Sequence, residues 1–167
     1  MNWYLDHINP SWDDSFKKLN YEYLPQRDQD IVDVWVKNGY SNMNLNGAIV
    51  IRKNTIPSWA VDIINKLGWE NTGVNMYKMS TGDVLPAHAD HYKTYKKTFK
   101  IKDPRVIWRC LVFMEDWKSG HYFEVDGEPI IKWKAGDYAV WNYDVPHMAA
   151  NIGIDPRYTM QITGMVL

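Results

Sequence analysis

Five side chains in this sequence have types and spacing suited to metal and anion chemistry. In Pro86-Ala87-His88-Ala89-Asp90-His91 an imidazole and a carboxylate stand two positions apart. On an extended strand both project to one face, where they can share a cation. The pattern alone is short and arises by chance, and its bland reading is a hydrogen bond at a strand end. A second imidazole sharpens it: His147, in Asp144-Val145-Pro146-His147-Met148. Two histidines and one carboxylate form a facial triad, which holds Fe(II) on one side and leaves adjacent positions open. Ten residues beyond His147 comes Arg157, with Thr159 at the next alternate position. A guanidinium fork in a barrel interior grips a carboxylate bidentately, and a hydroxyl two residues on faces the same side.

These groups need a rigid scaffold, and the sequence describes one. The chain has 167 residues, with hydrophobic residues at 46% and charged ones at 23%, ordinary values for a globular protein. A single domain is expected, with a mixed helix and strand section over 1–73 and a β core over 74–167. Nine Trp and eleven Tyr suit strand faces and ligand cavities better than a helical bundle. In the first section, Ser11 with Asp14 resembles a capping box that starts a short helix. Pro57 begins a stronger helix, in which Ala60, Ile63, Ile64 and Leu67 recur at helical spacing and Gly68 is the stop. Beyond Asn75 the pattern becomes short strands: 74–79, 106–114, 120–125, 128–133, 138–142, 148–152 and 158–165. Asp126-Gly127 is a two-residue type I′ hairpin signal, and Lys134-Ala135-Gly136-Asp137 is another turn. The expected class is mainly β: a double-stranded β-helix, or jelly-roll barrel, with amino-terminal helices packed on one sheet.

Read together, His88, Asp90, His147, Arg157 and Thr159 resemble the motif of the Fe(II)- and 2-oxoglutarate-dependent oxygenases: H-x-D, a distal His, then Arg-x-Ser or Arg-x-Thr about ten residues later. The resemblance covers about Asn75 to Leu167. It implies a cupin-like barrel, one Fe(II) held by His88, Asp90 and His147, and 2-oxoglutarate as co-substrate with its far carboxylate on Arg157 and Thr159. It also implies O2 as a reactant, hydroxylation of a C–H bond, and release of succinate and CO2. The run Met76-Tyr77-Lys78-Met79 before His88 is similar to a prolyl-hydroxylase-type strand in which a tyrosine reaches 2-oxoglutarate, which makes Tyr77 the candidate. Trp108-Arg109-Cys110-Leu111 is similar to the arginine-bearing strand of the aspartyl/asparaginyl hydroxylases, which extends the same suggestion to Arg109. Asp90 departs from that branch, which lacks the carboxylate ligand. It also argues against a halogenase, which needs a small residue there. A cupin-type metalloenzyme that does not use 2-oxoglutarate, and a metal-free jelly-roll binding module, are the alternatives. The prime substrate, a small molecule or a peptidyl side chain, is not specified.

Other residues leave choices open. Arg109 alternates with Ile107 and Leu111, so an inward guanidinium requires an anion, either a bound carboxylate or a structural Asp or Glu. His91 is expected to point away from His88 and Asp90. His121 reads as a surface or pocket residue, and His7 has no evident partner. The lysine-rich stretch 92–102 is either a lid over the site or a solvated loop. Cys110 reads as a small core hydrophobe, and Trp117, Trp133 and Trp141 as barrel wall or pocket lining. The near-neutral charge of -1 argues against nucleic acid. The lone cysteine and the absence of a leader-like start suggest a cytoplasmic setting with no membrane partner.

Overall fold

The computed structural model describes residues 1–40, 48–52 and 58–166. In chain order the elements are β1 (Trp3–His7), β2 (Glu22–Tyr23), α1 (Gln29–Lys37), β3 (Ala48–Arg52), α2 (Ser58–Leu67), β4 (Glu70–Met79), β5 (Val84–His88), α3 (Lys93–Thr98), β6 (Ile107–Phe113), β7 (His121–Val125), β8 (Glu128–Ile130), β9 (Asp137–Asn142), β10 (His147–Asn151) and β11 (Arg157–Met165). Two antiparallel sheets result, ordered β1-β9-β6-β11-β4-β3-β2 and β5-β10-β7-β8. From β4 onward the chain crosses repeatedly between them, which is the jelly-roll, cupin-like arrangement. No helix among the described residues is long and apolar enough to cross a membrane.

The central strands β6, β9 and β11 of the larger sheet are buried on both faces, and strand alternation assigns residues to them by parity. Even positions, including Val74, Met76, Cys110, Val112, Val140, Met160 and Ile162, form one core with Ala60 and Ile63 of α2. Odd positions, including Met79, Leu111, Phe113, Ala139 and Trp141, face the smaller sheet and pack on Phe123, Val125 and Ala149. The odd face is therefore the barrel interior, and Tyr77, Arg109, Arg157 and Thr159 share that parity.

Local chemistry accounts for the joints. Helix α2 ends at Gly68, which has a left-handed φ of +64° and donates its N–H to the Ile64 carbonyl. Pro57, expected to begin that helix, lies outside the described residues. Asp126 and Gly127 have φ of 54° and 79°, as a type I′ turn demands. The first helical turn is a short 3-10 segment, Asp14–Lys18, and its cap is Asp13, which accepts from the Ser15 N–H, rather than Ser11.

The structure also differs from the sequence-based division at residue 73. Strand β1 pairs with β9, and β3 with β4, so the amino-terminal section extends the larger sheet. Helix α1 was not expected. It presents Ile31 and Trp35 inward, and Asp28 caps it by accepting from the Asp30 N–H. Residues 93–98, expected to be lid or loop, form α3.

Two glycines separate the cost of backbone conformation from that of steric contact. Gly127 has nothing within 4 Å of where a Cβ would stand, whereas a Cβ on Gly136 would lie 2.0 Å from the Ile8 carbonyl oxygen. Gly127→Ala should lower stability by about 1 to 2 kcal/mol, the cost of left-handed backbone in a residue with a Cβ. Gly136→Ala should lower it further, because the hydrogen bond from the Ile8 N–H to Gly136 must also open. Urea unfolding of the two variants tests this; equal midpoints would contradict it.

Candidate metal centre

His88 ends β5 and His147 begins β10, and the two are direct partners across the ladder between those strands. Their rings lie 4.5 Å apart between centroids. Each Nδ1 faces a carbonyl two residues back in its own chain, Pro86 O at 2.8 Å from His88 and Val145 O at 3.2 Å from His147. A carbonyl only accepts, so each Nδ1 carries the proton and each Nε2 presents a lone pair. Both lone pairs converge on Asp90: His88 Nε2 is 3.8 Å from Oδ1 and His147 Nε2 is 3.5 Å from Oδ2. Asp90 stands two residues past the end of β5, outside the ladder.

The electrostatics match a cation site. Burial, then the neighbouring imidazole, pushes His147 down to about 3, and burial lowers His88, so both rings are neutral at pH 7. Burial disfavours the Asp90 carboxylate, but its pKa is held below the usual value, with the Arg109 guanidinium beside it as the main cause. Asp90 Oδ2 is buried and no donor is aligned on it in a hydrogen bond, although Arg109 Nη1 lies only 2.5 Å away. Two imidazole lone pairs and an incompletely satisfied carboxylate, all within 4.8 Å of one another, fit a divalent metal ion such as Fe(II). The imidazole orientations are fixed from outside by aromatic rings. Trp35 of α1 meets His88 edge to face at 5.3 Å, and Trp141 lies 4.9 Å from His147.

Asp90 answers the question left by Arg109, since the inward guanidinium has a carboxylate of the protein beside it. With the Gln161 amide turned so that its oxygen faces Arg109, that oxygen accepts from the guanidinium at 2.6 to 2.9 Å, and the amide nitrogen donates to the Tyr77 hydroxyl at 3.1 Å. Tyr92 stacks on the other side, its ring 4.9 Å from the Arg109 Cζ. Gln161 escaped the sequence reading, although it is the next inward position after Arg157 and Thr159, where strand periodicity alone places it.

Arg157 is different. It is 4% exposed and forms no ion pair among the described residues. Its Nη1 donates to the Met79 sulfur at 2.7 Å, its Nε has no hydrogen-bond partner, and its Cζ lies 5.6 Å and 5.7 Å from the Phe123 and Trp133 ring centroids. Burial alone pushes its pKa down to about 9. Arg157, Thr159, Tyr77, Gln161, Arg109 and the three candidate ligands line one cavity of about 280 Å³, whose walls include Leu85, Leu111, Phe123, Trp141 and Ala149. Leu24 to Arg27, the segment before α1, completes the lining.

The remaining histidines lie outside the cavity lining. His91 points away and pairs with Asp28 at 2.9 Å. His7 has a partner after all, Asp137 at 2.8 Å. His121 is buried rather than at a surface; it stacks on Trp133 and bonds the Asp155 carbonyl. Cys110 is fully buried. Of the three tryptophans singled out, Trp141 lines the cavity, Trp133 backs Arg157, and Trp117 packs against the interior core.

The fold superimposes on that of a Pseudomonas putida prolyl-4-hydroxylase with a TM-score of 0.59 at 14% identity, covering 99% of this chain and 93% of that one. KdgF from a Halomonas species matches with a TM-score of 0.44 at 12% identity over 72% of this chain and 79% of that one. A cupin protein from Bacteroides fragilis gives 0.42 at 15% identity over 70% and 85%. At these identities the first likeness shows a shared fold. No family model and no curated protein matches the chain.

His88→Ala or His147→Ala should abolish tight divalent-metal binding, because each removes one of three candidate ligands. His91→Ala should leave it intact. Anaerobic titration with Fe(II), or with Mn(II) as a stable substitute, measures this; loss of metal in His91→Ala with retention in His88→Ala would overturn the ligand set.

Proposed function

We propose that this protein is an Fe(II)- and 2-oxoglutarate-dependent dioxygenase that hydroxylates a C–H bond of its prime substrate. Arg157 carries the reading. A guanidinium enclosed in an apolar barrel, with no carboxylate paired to it among the described residues, calls for an anion from elsewhere, since an unpaired buried charge costs several kcal/mol. It shares one cavity with two imidazole lone pairs and a carboxylate. A dicarboxylate meets both requirements, one end on Arg157 and the other on the metal. The cavity volume is at the low end for small-molecule sites, which suits a five-carbon acid. The shared fold with a prolyl-4-hydroxylase agrees with this reading at the level of architecture alone.

In this assignment His88, Asp90 and His147 hold Fe(II), which supplies the activation of O2 when bound. Arg157 takes the far carboxylate of 2-oxoglutarate bidentately, and Thr159, at the next inward position, adds a hydroxyl. Leu85, Leu111, Phe123 and Ala149 flank the methylene chain and keep water from it. Tyr77 and Arg109 border the metal end. Arg109 and Gln161 hold Asp90 in place there, while the Pro86 and Val145 carbonyls keep the imidazole protons on Nδ1, so that Nε2 remains a ligand.

Replacing Arg157 by Met should separate the two binding events. Loss of a charge-assisted bidentate contact in a desolvated cavity costs about 2 to 5 kcal/mol, a thirtyfold to several-thousandfold fall in 2-oxoglutarate affinity. Iron affinity should be unchanged. Thr159→Val should have the milder effect of a neutral hydrogen bond, about 1 kcal/mol. The test is a 2-oxoglutarate titration of the Fe(II) protein under argon at matched iron occupancy, followed by succinate analysis on admitting air. Unaltered 2-oxoglutarate affinity in Arg157→Met would sink the assignment and favour a cupin-type metalloenzyme that acts without this co-substrate.

A further inference from the structure

The charged groups lining the cavity are unbalanced in a way the co-substrate does not correct. Three guanidiniums, Arg27, Arg109 and Arg157, stand against one carboxylate, Asp90. A divalent ion and a dicarboxylate cancel each other on binding, so the positive excess persists in the loaded site. Arg109 already has Asp90, and the far carboxylate of 2-oxoglutarate is assigned to Arg157. The guanidinium left over is Arg27, at the cavity's exposed margin.

Its surroundings preserve that charge. Arg27 is exposed and forms no ion pair among the described residues. The acids next to it in sequence are engaged elsewhere: Asp28 by His91 and Lys93, both at 2.9 Å, and Asp30 by Lys93 at 2.6 Å. Gln26, the neighbouring lining residue, uses its side-chain oxygen to accept from the Asp28 N–H at 3.2 Å, and its amide carries two N–H donors besides. Leu24 and Pro25 contribute apolar surface. The margin thus offers a guanidinium, amide donors and an apolar wall. The same contacts of Asp28 tie the backbone of this segment to the residues following Asp90.

We infer that the prime substrate is an anion, a molecule bearing a carboxylate or phosphate group that Arg27 and Gln26 hold at the mouth of the cavity while its reacting C–H bond is directed inward. A guanidinium with no counter-ion among the described residues rewards negative charge and penalises a cation, and its fork fits both kinds of oxyanion. Arg27 is then the residue that determines specificity. The inference rests on the oxygenase reading of the cavity.

The test uses full-length protein loaded with Mn(II) and 2-oxoglutarate under argon, so that the inner anion site is filled. Three probes of one shape, benzoate, benzamide and benzylamine, are titrated by calorimetry alongside inorganic phosphate. The expected result is that benzoate, phosphate or both bind at least tenfold more tightly than benzamide and benzylamine, the stronger of the two anions identifying the group recognised. Arg27→Gln should abolish the preference and Arg27→Lys should keep part of it, with higher salt weakening the wild-type response. Equal binding of benzamide, a preference for benzylamine, no binding of either anion, or a charge preference that survives in Arg27→Gln would each overturn the proposal. Failure of the protein to take up 2-oxoglutarate at the loading step would instead count against the oxygenase reading.

Discussion

The pairing of His147 with His88 across β10 and β5 governs the rest of the cavity, because side chains on a strand alternate between faces and a one-residue slip would turn His147 out of the barrel. The same β10 strand pairs with β7 on its other side, where His147 stands opposite Val125. Between two neighbours the strand has little freedom to shift. Once the register is set, the carbonyls of Pro86 and Val145 fix which ring nitrogen carries the proton, and Trp35 and Trp141 fix the planes of the rings. The convergence of the two lone pairs is therefore a product of sheet geometry and backbone hydrogen bonds more than of the histidines themselves.

Charge inside the barrel is handled in two ways. Arg109 is neutralised within the protein by Asp90 and further held by Gln161 and the face of Tyr92. Burial opposes its charge, yet Asp90 together with Tyr92 and Tyr77 more than offsets this and raises its pKa. Arg157 has only aromatic faces and a thioether, groups that soften the loss of water without supplying a counter-charge. Within one barrel, the first arrangement is self-sufficient and the second is incomplete. That contrast makes Arg157, rather than Arg109, the guanidinium that calls for an anion from outside, although both line the same cavity.

Helix α1 joins the metal end to the cavity mouth. Its Trp35 leans on His88 and donates from its indole N–H to the Ala87 carbonyl, while Asp28 at its start clamps His91 and Lys93 just past Asp90. The loop leading into that helix, Leu24 to Arg27, is cavity wall. One short helix thus braces the segment that bears two candidate ligands and presents the outermost donors.

Much of this was legible in the sequence, wherever the cause is local. Hydrophobic residues at both parities along β4, β6 and β11 reflect a sheet covered on two sides; Ala60, Ile63, Ile64 and Leu67 mark one helix face; Gly68 and Asp126-Gly127 require left-handed backbone that few other residues tolerate. The spacings of His88, Asp90, His147, Arg157 and Thr159 placed these five residues in one site, and they do line one cavity. What the tertiary structure alone decided are relations between distant segments: the counter-ion of Arg109, the partner of His7, the extension of the larger sheet by β1 and β3, and the bracing of His88 by Trp35. Such contacts leave no local signature. Turn and cap preferences act over a few residues, whereas the pairing of β1 with β9, or of Asp90 with Arg109, follows from which surfaces must be buried together once the barrel closes.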